Sequence, residues 1–356
     1  MIERHHQYLS QTWNVTSQRQ ASQKSSDRFK EFKANSSHTP MTFVAPSLPE
    51  IATGEKLSKE LSSISFPFTN LLRSRRCFLR AAWTLQRQGI IRLSQVAGAA
   101  DIEALNIRIN QVLDQVESYR ASGIAEHPIS DAYLNVPENR AIAGYKQLVN
   151  ADRSVINLRF ARPDGRSGSD AGMVDIFHPE KLSAELNQLT SRVLQQEAIQ
   201  KLLWTSCLSP VQIRCRNLYI NNGVEDTRGF HCDGRALKFK AFLFLSDVRD
   251  LGAGPYCYVK GSHHDGAPWR RTSAFNQANG IDICEFTQLG GSEALPMMAR
   301  AGDMVISSQA GAHRGHPQHP EGKRRVLVAM YSPRSKTKLS RLDRLKRSAR
   351  RWITSW

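Results

Sequence analysis

From Cys77 to Gln88 the stretch CFLRAAWTLQRQ returns apolar side chains at three- and four-residue steps and stops at Gly89. That spacing predicts an amphipathic helix with a glycine just past its end. IIRL follows as a short strand. Asp101 stands where an N-cap belongs, ahead of a helix whose apolar face is Ile102, Leu105, Ile109, Leu113 and Val116. A further helix is expected over about 181–204, with Leu182, Leu186, Leu189 and Val193 on one face. After Pro210 the period changes to two. VQIRCRNLYI alternates, which places Val211, Ile213, Cys215, Asn217 and Tyr219 on one face of a strand. ALKFKAFLFL, PYCYVKG, DMVISS and RVLVAMY follow, separated by Gly, Pro, Asn and Asp clusters. Short strands at this spacing predict a barrel or jelly roll. No long helices alternate with them, which argues against a parallel Rossmann sheet, and the chain has no GxGxxG, P-loop or internal repeat.

The ends differ from this middle. Residues 1–64 read as a loose N-terminal extension and linker: the first forty are rich in Gln, Ser, His and Lys, and 41–64 contain Pro46, Pro49 and Gly54. Residues 65–332 form the expected catalytic domain, helical over 65–208 and β over 209–332. Residues 333–356 read as a basic amphipathic tail, with Leu339, Leu342, Leu345, Ala349, Trp352, Ile353 and Trp356 at helical steps between Arg and Lys.

Charge sharpens the division. The net charge is +17, of which residues 332–356 carry +8 and residues 1–40 carry +3, leaving +6 for the core. A basic total of this kind is weak support for a nucleic-acid enzyme, and the core shows no basic-aromatic platform. The tail suits peripheral contact with an anionic membrane through residues 339–356, or docking of its apolar stripe on the rest of the chain. The six cysteines show no CxxC spacing and read as reduced thiols. No stretch has the form of a secretory signal or a membrane span, so a cytoplasmic location is expected.

Chemistry concentrates in two stretches. In RGFHCDGR, His231 and Asp233 are two residues apart, so an extended chain presents both from one face. One imidazole and one carboxylate become a two-His, one-carboxylate set for a metal such as Fe(II) if a second imidazole joins them. His313, His316 and His319 are the candidates. His313 is preferred because it follows a strand and the small-residue turn QAGA, whereas the other two flank prolines. A second His-x-Asp, His263 and Asp265, lies in a Gly/Ser turn and reads as a loop feature. Arg325 opens the last strand on the face of Leu327, Ala329 and Tyr331, and its planar fork suits the distal carboxylate of an organic co-substrate. Its neighbour Arg324 points the other way in a regular strand, so a one-residue slip exchanges them.

NLYINNGVEDTRGFHCDG, KAFLFLSDV, GPYCYVKGSHH, AGDMV and GAHRGHP…RRVLVAMYS, taken in this order, resemble the phytanoyl-CoA dioxygenase family of Fe(II)/2-oxoglutarate-dependent oxygenases over roughly residues 78–332. The resemblance implies a double-stranded β-helix (jelly roll, cupin-like) core that is mainly β, with a helical N-terminal layer. It implies iron on His231, Asp233 and His313, 2-oxoglutarate as co-substrate held by Arg325 with Asn217 and Tyr219 nearby, and O2 as oxidant. The implied activity is hydroxylation of an unactivated C–H bond in a small molecule or thioester-linked acyl substrate, with release of succinate and CO2. Because Asp233 is present, the halogenation chemistry of relatives lacking that carboxylate is disfavoured. The residues alone leave open a metal-dependent lyase or isomerase on the same ligands, and a non-catalytic jelly-roll binding protein. Substrate and oligomeric state are not readable.

Overall fold

The computed structural model describes residues 47–121, 148–151, 154–159, 161, 165 and 167–334. The tail at 339–356 and most of the N-terminal extension lie outside them. Among the described residues no helix is long and apolar enough to cross a membrane.

The strands run in chain order as β1 (Glu50–Ile51), β2 (Ser65–Pro67), β3 (Ile90–Ser94), β4 (Leu148–Ala151), β5 (Ser154–Leu158), β6 (Met173–Phe177) and β7 (Val211–Asn222). They continue as β8 (Phe239–Phe244), β9 (Tyr256–Val259), β10 (Glu293–Pro296), β11 (Met304–Ser308), β12 (His313–Gly315) and β13 (Lys323–Pro333). Nine form one sheet in the order β2-β3-β11-β8-β13-β7-β6-β5-β4, and β1-β10-β9-β12 form a second. His231 bridges His313 and so extends the second sheet by one further position. The antiparallel group β11-β8-β13-β7 faces the group β10-β9-β12-His231. This is the eight-position, two-sheet arrangement of a double-stranded β-helix.

Strand alternation gives the large sheet two different apolar faces. Phe242, Phe244, Val305, Val326 and Val328 point toward the small sheet and pack with its Tyr256, Tyr258 and Leu295. Ala241, Leu243, Leu218, Ile306, Leu327, Ala329 and Tyr331 point outward into the helical layer. That layer consists of α1 (Gly54–Ser63), α2 (Phe68–Arg73), α3 (Arg75–Gln88), α4 (Ala99–Ala121), α5 (Ala184–Val193) and α6 (Gln196–Cys207), while α7 (Ala267–Asn279) follows β9.

The observed elements depart from the sequence reading in five places. β4, β5 and β6 lie within 65–208, the stretch expected to be helical, and extend the large sheet beyond β7. Residues 50–63, assigned to the linker for their Pro and Gly content, carry β1 and α1. Ala52 and Leu61 there join the core between the sheets, so apolar burial outweighs the local turn signals. Asp101 does not cap α4, which starts at Ala99; it lies in the first turn and pairs with Arg192 at 2.5 Å. The helix expected over 181–204 is two helices, broken where Gln195 adopts φ 47°. The single face proposed for Val211 to Tyr219 is also broken. Met330 pairs with Cys215 and Tyr331 with Ile213, leaving Arg214 unpaired as a bulge. Val211 and Ile213 therefore face the helices, while Tyr219 faces the core between the sheets.

Gly89 ends α3 with φ 77° and donates its N–H to Leu85 O. A Cβ there would run into the Tyr258 hydroxyl and the His263 ring. Gly89→Ala is expected to destabilise the fold by more than ~1 kcal/mol, the strain at positive φ adding to the clash. A urea titration reads it; an unchanged midpoint would refute the argument.

Candidate metal centre

The segment holding His231 and Asp233 is fixed from both sides by backbone pairing. His231 exchanges hydrogen bonds with His313, N–H to O at 3.0 and 2.9 Å. Cys232 N–H donates to Cys284 O, and Asp233 N–H donates to Gln309 O, both at 2.9 Å. Phe230 and Cys232 enter a small apolar cluster with Cys257, Val259, Phe286 and Leu289. Alternation then sends His231 and Asp233 to the opposite side, toward the cavity between the sheets.

Three donor groups converge there. The Asp233 carboxylate oxygen Oδ1 lies 4.0 Å from His231 Nε2 and 3.9 Å from His313 Nε2, and the ligand atoms of all three lie within 4.8 Å of one another. Each imidazole is oriented from behind. His231 Nδ1 lies 2.8 Å from Gly229 O and His313 Nδ1 lies 2.9 Å from Gly311 O. A carbonyl can only accept, so Nδ1–H donates in both rings and each Nε2 lone pair is left facing the carboxylate. This outer support is what metal-binding histidines require, and the three residues fit a divalent ion of borderline softness.

Lys240 has no counterpart in the sequence reading. It lies on β8, and its ammonium pairs with the second oxygen of Asp233, Oδ2, at 2.7 Å. Burial opposes the charge on Lys240, but the Asp233 carboxylate outweighs it and holds the ammonium well above its ordinary range. Burial likewise opposes ionisation of Asp233. The Lys240 ammonium outweighs it, and the carboxyl stays far below its usual range. Lys240 shares its strand face with Phe242 and Phe244, and a lysine alternating with core phenylalanines was the signal of a buried cation needing a partner.

The cavity has a volume of about 440 Å³. Phe242, Phe244, Tyr256 and Val326 form apolar wall near the three donors, and Arg159, Asp170, Arg228 and Glu285 bring charge to the lining. These four are already paired: Arg159 with Asp170 at 3.0 Å and Arg228 with Glu285 at 2.5 Å. Tyr256 also shares a hydrogen bond with Ser307 at 2.9 Å.

Arg325 does not reach this cavity, which corrects the face assigned to it. Its neighbours Leu327, Ala329 and Tyr331 face the helical layer, and Arg325 follows them. Its guanidinium meets Asn106 Oδ1 on α4 at 3.4 Å, and its N–H donates to Ser246 Oγ at 3.0 Å. Arg324 lines the cavity instead, in phase with Val326 and Val328. It is buried, donates to Gly254 O through one terminal nitrogen, and leaves its Nε without a partner among the described residues. Of the two β7 residues proposed beside the co-substrate, Tyr219 lines the cavity, whereas Asn217 is buried further along the strand opposite Val328. Asn221, directly across from Arg324, is the second β7 residue on the wall, and its Oδ1 is buried without a partner among the described residues.

The second His-x-Asp pair does separate work. His263 Nε2 lies 2.9 Å from Gln86 O and His264 Nε2 lies 3.2 Å from Arg87 O, so both rings cap the last carbonyls of α3. Asp265 pairs with Arg235 at 2.7 Å.

Burial, followed by the neighbouring histidine, pushes both His231 and His263 down to about 3. An imidazole neutral in the fold but protonated in the unfolded chain costs the fold nothing above pH ~6.5, and costs more as pH falls toward 3. Thermal stability of the metal-free chain should be flat above pH 7 and fall below 6.5. The two groups together give a slope of up to about 2.7 kcal/mol per pH unit. A pH series of melting curves checks this; a plateau extending to pH 4.5 would contradict it.

No sequence-family profile matches the chain, and no curated protein matches it. Solved structures similar to it include the non-heme alpha-ketoglutarate-dependent epimerase SnoN from nogalamycin biosynthesis, at 17% identity with a TM-score of 0.45, covering 72% of this chain and 84% of that one. The carbocyclase SnoK from the same biosynthesis is 15% identical with a TM-score of 0.46, covering 74% and 89%. HygX from Streptomyces hygroscopicus, solved with nickel and 2-oxoglutarate, is 12% identical with a TM-score of 0.41, covering 72% and 87%. At such distances the likeness carries no chemistry across, and the function of this chain rests on its own residues.

Proposed function

We propose that this chain is an Fe(II)/2-oxoglutarate-dependent oxygenase that hydroxylates an unactivated C–H bond of a small molecule or thioester-linked acyl substrate. The observation that carries the reading is the triangle of His231, Asp233 and His313. Its two Nε2 atoms are aimed by backbone carbonyls, and it opens on a cavity whose lining also holds a buried guanidinium. When bound, iron would couple oxidative decarboxylation of 2-oxoglutarate by O2, giving succinate and CO2, to transfer of one oxygen atom into the substrate C–H bond.

The chain's own residues supply the remainder. His231 and His313 offer neutral lone pairs, and Asp233 offers one oxygen while Lys240 retains the other. Together these three residues would hold the ion from one side, toward the cavity. Arg324 binds the far carboxylate of 2-oxoglutarate, its unpartnered Nε–H becoming one arm of a charge-assisted contact, with Asn221 and Tyr219 beside it. Phe242, Phe244, Tyr256 and Val326 keep water from the reacting carbon.

The test is succinate formation by the purified chain given Fe(II), 2-oxoglutarate and O2. Succinate above a metal-free control supports the reading. Tight metal binding without 2-oxoglutarate binding or succinate would instead favour a metal-dependent lyase or isomerase, and absence of metal binding would favour a non-catalytic binding protein.

A further inference from the structure

The helical layer turns an uncommon face away from the sheets. Residues 68–88, spanning α2 and α3, contain five arginines and no acidic residue. Arg73, Arg75, Arg76, Arg80 and Arg87 are all exposed, and none pairs with a carboxylate among the described residues. Large apolar side chains stand between them: Leu72 is 58% exposed, Leu79 48% and Trp83 55%. α3 packs against α6, whose Trp204 is 55% exposed, and Leu208 just beyond it is 58% exposed. Single exposed leucines are ordinary. Five large apolar side chains on α2, α3 and the end of α6, interleaved with uncompensated cations, mark an interaction surface.

Charge decides what it meets. A face of +5 repels a second copy of itself. It also repels the chain's own residues 335–356, which hold eight Lys/Arg and one Asp. Both features therefore call for one anionic partner. The exposed tryptophans and leucines select among anionic partners: they gain from an apolar boundary next to the phosphates, which a bilayer has and a nucleic-acid backbone lacks.

We propose that α2, α3 and the end of α6 form a docking surface for anionic lipid bilayers. The arginines contact headgroup phosphates, and Leu72, Leu79 and Trp83 enter the headgroup–acyl boundary. The attraction comes from the surface potential of the anionic leaflet and is screened by salt.

Vesicle co-sedimentation of the full chain tests this, using phosphatidylcholine alone and phosphatidylcholine with roughly one-third phosphatidylserine, a fraction high enough for the surface potential to act. Binding should require phosphatidylserine and weaken as salt rises. Arg76→Glu with Arg80→Glu should reduce partitioning at least ~10-fold, and Trp83→Ser should reduce it separately. All three positions are exposed, so circular dichroism should be unchanged. Equal binding to both vesicle types would overturn the proposal. So would unchanged partitioning of the helix variants, which would leave the tail as the sole contact. Binding to a single-stranded RNA that the arginine variants weaken, with no binding to vesicles, would replace lipid by nucleic acid.

Discussion

His313→Ala should remove metal binding and succinate formation together while leaving the fold intact. Loss of an outer partner of a metal ligand already costs ~10–100-fold in affinity, so loss of one of three ligands should exceed ~100-fold. The imidazole is buried, but its neighbours tolerate its removal: Gly311 O is a backbone acceptor that water can satisfy, and Tyr256 loses only one ring contact at 5.5 Å. Asp233→Ala should behave differently although it removes a ligand of equal rank. It leaves the Lys240 ammonium buried with no counter-ion, at a cost of about 3–5 kcal/mol. Asp233→Ala with Lys240→Met should regain most of that stability yet still fail to bind metal. Isothermal titration with Mn(II), which resists oxidation, reads the first property and urea unfolding the second. If Asp233→Ala were as stable as the parent chain, the Lys240 pair would not hold in solution. If His313→Ala bound metal normally, the three-residue centre would be wrong.

How much of this was legible follows from what each feature depends on. Alternation is local, so the shared face of His231 and Asp233 could be read from two residues of spacing, and the strand after Pro210 from a dozen, whereas β4 to β6 within the stretch expected to be helical could not. The split of 181–204 at Gln195 could not, because φ 47° at a glutamine leaves no compositional trace. The bulge at Arg214 was invisible for a related reason: it arises from the register between β7 and β13, and it reverses the phase of everything before it on β7. Lys240 carries no such local mark, because a lysine in a strand reads as surface until its partner is known, and the partner is seven residues earlier across a turn. The end of β13 exposed the sharpest limit. Arg324 and Arg325 are adjacent, chemically identical, and distinguished only by which sheet face counts as inner. Leu327, Ala329 and Tyr331 are as apolar as Val326 and Val328, since one set meets the helices and the other the opposing sheet. A strand buried on both faces does not announce its inner side.

That ambiguity makes the arginine pair the more informative experiment. Arg324→Ala should raise the apparent KM for 2-oxoglutarate by roughly 10–150-fold, corresponding to loss of a charge-assisted contact of about 1.5–3 kcal/mol. Arg325→Ala should leave that KM within twofold, because its guanidinium lies among α4 side chains and not on the cavity. Arg324→Lys should recover only part of the loss, since an ammonium keeps the charge but not the planar fork that meets a carboxylate with two parallel hydrogen bonds. Burial holds the Arg324 guanidinium at about 10, below its ordinary range but still charged at neutral pH, so its clamp should persist from pH 6 to 8. Initial rates of succinate formation against 2-oxoglutarate concentration, at fixed Fe(II), separate the cases. Were Arg325→Ala the variant with the raised KM, β13 would have to sit one residue out of the register that pairs Arg324 with Asn221, and the inner wall of the cavity would have to be reassigned with it.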